Sequence, residues 1–465
     1  MTIKTPIIPT QQTFAKRNAP HKLNLQAICV FAATGFFLDQ DTYWTDEVVL
    51  PPATTNKLDN QGVLLESKPW FSWYNTPRER PFQEVVDEFS ELFKTIVAEQ
   101  IGEQPVILPL SGGLDSRTQA IVLKELQANV QAYSYQFEQG YNETKIAEQV
   151  AKQSGFAFDA YTIPKGYLWD KIDDLVKMNQ GYSDFCSPRQ LAVLNQLKAY
   201  QGVFSLGHWG DVLFDDMGVA EEISLEQQVE VVIKKITKRG GLKLAQTLWQ
   251  AWGLEGNFYD YFHARIKTLL AQINIPHSAN ARIRAFKSLY WAPRWTSVNL
   301  AVFKDAHPIT LPYYDHRMCK FICEIPERYL SARQIQIAYI KQKAPKLAKL
   351  TWDLYHPCNL YNYQTYYTYK GLPGRAKHAL QYRVKRFLGQ TTIQRNWELQ
   401  FLGKDNDHHL QQALFSKAFK TFVPSKVTQE MYHGFTSKDQ VHYAHGVNML
   451  LTLSKWNDLQ NSSKV

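Results

Sequence analysis

Two short glycine-containing stretches carry side chains suited to chemistry. The first is Ser111-Gly112-Gly113-Leu114-Asp115-Ser116, which follows the apolar run PVILPL at 105–110 and opens the helix-like LDSRTQAIVLKELQ. A strand that ends in paired glycines and enters a helix presents backbone N–H groups and a positive dipole end to an anion. Ser111 and Ser116 add hydroxyl donors, and Asp115 has the charge to hold a magnesium ion that bridges phosphates. The pattern G-x-x-x-x-G-K-[ST], with its lysine, is missing, so the kinase-type phosphate loop is excluded. Donors and an acid without that lysine suit a departing pyrophosphate. The second stretch, SLGHWGDVLFDD at 205–216, offers Gly207, Gly210 and the acid Asp211. The plain alternative for both is a glycine-rich turn with an N-capping aspartate.

Such side chains need a scaffold to bring them together. Residues 105 to about 206 alternate strand-like and helix-like segments: PVILPL, VQAYSYQF, FAFDAYTI and GVFSL as strands, with helices between them. Repeated βα units predict an α/β fold with a parallel sheet covered by helices on both faces. Ligands bind such sheets beyond the carboxyl ends of the strands, where both glycine stretches fall. From 24 to 72 the texture is β-like, and LQAICVFAATGFFL reads as strand. The stripe Val85, Val86, Phe89, Leu92, Phe93, Ile96 and Val97 predicts a linking helix ending at Gly102. Residues 220–345 are mainly helical. Beyond 365 come a basic helix, a polar turn region and the apolar helix GVNMLLTLSKW. The expected units are therefore 1–75, a linking helix within 76–104, a nucleotide-type α/β unit at 105–365 and a basic, helical extension at 366–465.

Bulk properties exclude several classes of protein. Hydrophobic content of 45% and charged content of 20% over 465 residues describe an ordinary folded chain. The net charge of +9 is dispersed; its densest run, KGLPGRAKHALQYRVKRF at 370–387, could meet an acidic partner or a membrane surface but more simply forms a solvated face. No aromatics are interleaved with Lys and Arg in an RNA-binding pattern, so no specific nucleic acid is expected. Five scattered cysteines point to a reducing compartment, with Cys319 and Cys323 as buried thiols rather than metal ligands. There is neither a signal-peptide core nor a transmembrane-length apolar run, so a cytoplasmic location is expected.

The motif Ser-Gly-Gly-Leu-Asp-Ser in this setting resembles the pyrophosphate loop of the asparagine synthetase family, within the N-type ATP pyrophosphatases (the PP-loop group). Three more stretches are similar in order and spacing. YSYQFEQGYNETKIAEQVAKQSG resembles the segment after the second strand, and SLGHWGDVLFDD the second phosphate-side loop. LPYYDHRMCKFICEIPERYL matches a helix start through Pro312, Asp315, His316 and Arg317. The resemblance spans roughly 105–345. It implies that Leu110, Ser111, Gly112, Gly113, Leu114, Asp115, Ser116 and Arg117 bind ATP, with Gly207 and Gly210 on the second loop. It further implies that Phe137 lies near the adenine, that Glu143 fills an acidic position, and that Asp115 and Asp211 hold Mg2+. The implied activity is an AMP-forming amide ligase: a carboxylate, aspartate by default, is activated as its acyl-adenylate and then meets ammonia or another amine.

Departures from the family pattern qualify that expectation. Arg117 stands where a small hydroxyl is usual, and its guanidinium could grip phosphate or merely crowd the loop. His208 replaces a glutamate and could act as a base near neutral pH, while Val212 replaces an acid. The lysine expected after the Pro-Phe-Leu-Asp segment has no counterpart in LTWDLYHPCNLYNY, though Lys341 and Lys343 are nearby. Asp184 is a further pocket candidate. Residue 2 is Thr2 rather than a nucleophilic cysteine, residues 1–75 resemble only the closing strands of a glutaminase, and Cys29 reads as core within a strand. Nitrogen would then come from free ammonia, a separate glutaminase or an amine on another substrate. The alternatives are a specialised relative (a lactam or peptide cyclase, or an enzyme amidating sugar acids of surface polysaccharides), a non-catalytic nucleotide-binding scaffold, and an RNA-modifying enzyme of the wider group.

Overall fold

The structure is a computed structural model, and it describes residues 1–142, 144–369, 372 and 392–462. Glu143 and, apart from Leu372, the basic run at 370–387 lie outside the described residues. The N-terminal region pairs β1 (Thr2–Lys4), β4 (Thr54–Leu58) and β5 (Leu64–Pro69) in one antiparallel sheet, and β2 (Phe14–Lys16) with β3 (Glu47–Val49) in another. Between β2 and β3 the structure corrects the sequence reading: Leu25–Thr34 is a helix, not a strand. The Asn24 side chain caps it by accepting from Ala27 N at 3.2 Å, and Gly35 ends it at φ 83°. Ala27 to Thr34 are all buried, so no polar face interrupts the run and its helical period is hidden. Cys29 is core, as expected, but on this helix.

The linking helix spans Phe82–Ile101 and buries the predicted stripe, apart from the half-buried Leu92. It leads to a five-stranded sheet made of β6 (Val106–Pro109), β7 (Val130–Phe137), β8 (Ala157–Ile163), β9 (Val203–Ser205) and β10 (Ile309–Thr310). The order is β10-β9-β6-β7-β8 and every pairing is parallel. From β6 the chain moves outward to β7 and β8, then returns to place β9 on the other side of β6. The boundary between β6 and β9 is therefore a topological switch point, where the loops leaving neighbouring strands diverge and open a crevice. Both glycine stretches leave their strands there.

Helices fill the region after β9, interrupted by β10, and the segment 396–462 is helical as well. The helix Gln440–Ser462 packs back on the N-terminal region: Trp456 stacks on Tyr43 with ring centroids 3.9 Å apart, and His445 Nε2 lies 2.9 Å from Ala32 O. Among the described residues no helix is long and apolar enough to cross a membrane. The cysteines are free, with Cys319 and Cys323 buried.

Candidate active site

Leu110 and Leu114 anchor the first loop, at 4% and 0% exposure, so anything they offer a ligand comes from the backbone. Between them Ser111 N donates to Ser116 Oγ at 3.1 Å, the two hydroxyls lie 3.0 Å apart, and Gly113 N donates to Ser111 Oγ at 3.2 Å. These bonds fold the loop into a cradle. The helix Leu114–Glu125 begins at Gly113 with no side-chain cap, so N–H groups of its first turn remain open to a ligand.

Asp115 is held from several directions. Its Oδ1 pairs with Arg333 and accepts from Gln336 Nε2 at 2.9 Å, and its backbone oxygen accepts from the Tyr313 hydroxyl at 3.1 Å. Burial raises the Asp115 carboxyl above its usual range; Arg333 pulls it down again and Asp211 pushes it up. That last influence shows that the structure brings the two acids together from adjacent strand ends. Gly210 makes the approach possible, since a Cβ there would overlap Asp115 Oδ1, and one at Gly207 would stand 3.1 Å from Asp115 Cβ. Among the described residues no cluster of three or more His, Cys, Asp or Glu is placed to hold a metal ion. Magnesium takes one or two carboxylates from a protein and completes its shell with phosphate oxygens and water. Asp211 and the Oδ2 of Asp115 fit that requirement.

Arg117 makes its contacts within the protein. It is fully buried, and its guanidinium donates to the carbonyls of Leu347, Leu350, Gly112 and Thr351 at 2.9–3.4 Å. It is a strut that ties the loop to the segment 347–351, and burial lowers its pKa to about 10. Just beyond that segment, the Asp353 carboxylate lies on the loop. Asp353 N donates to Gly112 O at 3.5 Å, and a Cβ at Gly112 would overlap the carboxylate. An acid thus sits in the anion seat.

On the second loop, His208 packs edge-on against Phe303 with centroids 5.9 Å apart. Burial lowers its pKa to about 4, partly opposed by Asp211, so the ring is neutral at physiological pH and a weak proton acceptor. Lys287 lies close enough to Asp211 and Asp215 to feel both, yet burial dominates and brings its pKa down to about 8.

Other candidates are placed elsewhere. Phe137 ends β7 at 6% exposure with the Arg189 guanidinium over its ring, 5.3 Å from the centroid. Asp184 is a turn acid rather than a pocket residue: it accepts from Cys186 N, Ser187 N, Ser187 Oγ and Asn448 Nδ2 at 2.7–3.1 Å. Asp315 caps the helix His316–Cys323 and pairs with Arg317. Lys343 pairs with Glu125, at the far end of the loop helix, and Lys341 stacks on Tyr361; neither supplies the missing lysine. Sequence reasoning missed Arg333, Gln336, Asp353 and Lys287. Only Tyr313, beside the Pro312 already singled out, had a local signal.

With this geometry in hand, comparisons with known proteins are informative. No curated protein sequence matches the chain. Among solved structures, the NMN synthetase of Francisella tularensis is similar at 13% identity and a TM-score of 0.23, over 40% of this chain and 94% of that one, a likeness too slight to bear on the site. The asparagine synthase family pattern matches residues 88–344, from within the linking helix through both loops to Arg333 and Gln336. That match covers more than half of the 465 residues, and the chain belongs to the asparagine synthase family.

Proposed function

We propose that this protein is an AMP-forming amide ligase that uses Mg·ATP to activate a carboxylate and then joins it to ammonia or another amine. Family membership makes it an ATP-dependent amidating ligase in general terms. The observation that supports the finer reading is the approach of Gly210, which precedes Asp211, to Asp115 beside the cradle formed by Ser111, Gly113 and Ser116. In the first step a substrate carboxylate oxygen attacks the α-phosphorus of ATP, and the bond to the leaving pyrophosphate breaks. Backbone N–H groups at the start of the loop helix and the hydroxyls of Ser111 and Ser116 hold that pyrophosphate. Asp115 and Asp211 would hold magnesium, which supplies charge neutralisation on the phosphates. In the second step the amine nitrogen attacks the acyl carbon and AMP departs. The amine must lose a proton, and neutral His208 would orient the amine or accept that proton.

The Asp353 carboxylate in the cradle favours a second reading, a nucleotide-binding scaffold without turnover. Release of AMP and pyrophosphate by the purified chain with Mg·ATP, a panel of carboxylates and ammonium separates the two. The ligase reading expects acid-dependent AMP that Asp115→Ala abolishes. ATP binding without AMP from any acid would favour the scaffold.

A further inference from the structure

We propose that Lys287, together with the indoles of Trp209, Trp291 and Trp295, forms the subsite for the carboxylate substrate, and that this substrate is an acid borne on a ring. The proposal rests on the amide-ligase reading and names its substrate class. Lys287 Nζ lies over two indole faces, 5.2 Å from the Trp291 centroid and 6.0 Å from that of Trp209. Among the described residues it has no carboxylate at ion-pair distance. Arg284, one turn earlier, differs: both of its terminal nitrogens bond Glu327, at 2.6 and 2.7 Å. One cation is thus neutralised within the protein and the next is left for a ligand.

The local backbone supports this reading. Lys287–Trp291 forms a π turn between the helices Ala279–Phe286 and Ala292–Asn299, a distortion frequent at functional sites. Trp209 holds φ 66°, rare for a bulky side chain, and its Nε1 donates to Thr296 Oγ1. Its ring meets Trp291 and Trp295 at 81° and 83°. All three indoles are partly exposed, and the buried Trp291 Nε1 has no hydrogen-bond partner. The cluster therefore offers a cation, an unpaired indole N–H and flat apolar walls near Asp211. A carboxylate would satisfy the donors, and a sugar or aromatic ring would cover the walls. Aspartate would leave the indoles bare and bring its own ammonium towards Lys287.

The test follows tryptophan fluorescence of the full chain, saturated with Mg·ATP, during titration with D-galacturonate, benzoate and L-aspartate. Lys287→Met and Lys287→Arg are measured alongside. At least one ring-borne acid is expected to bind more tightly than aspartate, and which one it is tells a sugar ring from an aromatic one. Lys287→Met should raise its Kd at least tenfold, Lys287→Arg should restore part of the loss, and ATP affinity should stay within twofold. Preference for aspartate, no binding of either ring acid, or an unchanged Kd in Lys287→Met would overturn the proposal. So would a loss of ATP affinity in that variant. Failure of the wild-type chain to bind Mg·ATP at all would instead remove the amide-ligase reading, and the proposal with it.

Discussion

Replacing Asp353 by alanine should tighten the binding of pyrophosphate and of ATP. In the resting protein the Asp353 carboxylate lies against Gly112, on the loop an incoming phosphate must enter, and Arg117 beneath it adds a favourable charge. Asp353 is exposed to solvent, so its charge acts on a bound anion under water-like screening. A carboxylate left about 4 Å from the bound anion would add roughly 1 kcal/mol of repulsion per unit charge under water-like screening. Against the roughly two net charges of magnesium pyrophosphate this comes to about 2 kcal/mol, or roughly a thirtyfold lower Kd in the alanine variant. Asp353→Asn keeps an acceptor without the charge and should fall between. Isothermal titration with magnesium pyrophosphate, and separately with Mg·ATP, reads the effect without any acyl substrate. Equal or weaker binding by Asp353→Ala would refute the reasoning, because the carboxylate would then be assisting the nucleotide instead of holding its place.

Further consequences can be checked on the same protein. Arg117→Met leaves the carbonyls of Gly112, Leu347, Leu350 and Thr351 without their donor and should cost about 3 kcal/mol, seen as a Tm lower by about 5 °C. Arg117→Lys should rescue little, since one ammonium cannot serve a planar set of acceptors. In Gly210→Ala the new methyl displaces Asp115, so AMP formation should drop about 100-fold while the Tm moves far less than in Arg117→Met. Burial depresses His445 to about 4, well below its ordinary value near 6.5. Between those values the unfolded chain binds more protons, so stability is present above about pH 6.5 and is lost as pH falls towards 4. Denaturant midpoints measured from pH 7 to pH 4 should fall, and His445→Gln should flatten that slope.

The sequence exposed what local chemistry can encode. The loops at 111–116 and 207–211 were legible because glycines, hydroxyls and acids sit within a few residues of each other, and the alternation of β6 to β9 with helices told where those loops must lie. Residues brought in from a distance were not. Arg333 reaches Asp115 across 218 positions, on a backbone where Ala332 and Arg333 both take positive φ. Nothing in SARQIQ announces such a conformation. Asp353 fell within LTWDLYHP, where a lysine was sought and an acid was found. The N-terminal helix was misread for a different reason. A helix buried on every side shows no amphipathic stripe, and its β-branched and aromatic residues then imitate a strand.

The stacking of Trp456 on Tyr43 and the bond between His445 and Ala32 have a temporal meaning. The latter pair is 413 positions apart, so the early helix carrying Ala32 leaves the ribosome long before its covering helix exists. At about 5–20 residues per second, that interval is roughly 20–80 s. Throughout it Tyr43, which is 0% exposed in the finished fold, lacks the indole that covers it. The nascent chain therefore carries apolar surface that is completed only when Gln440–Ser462 is made.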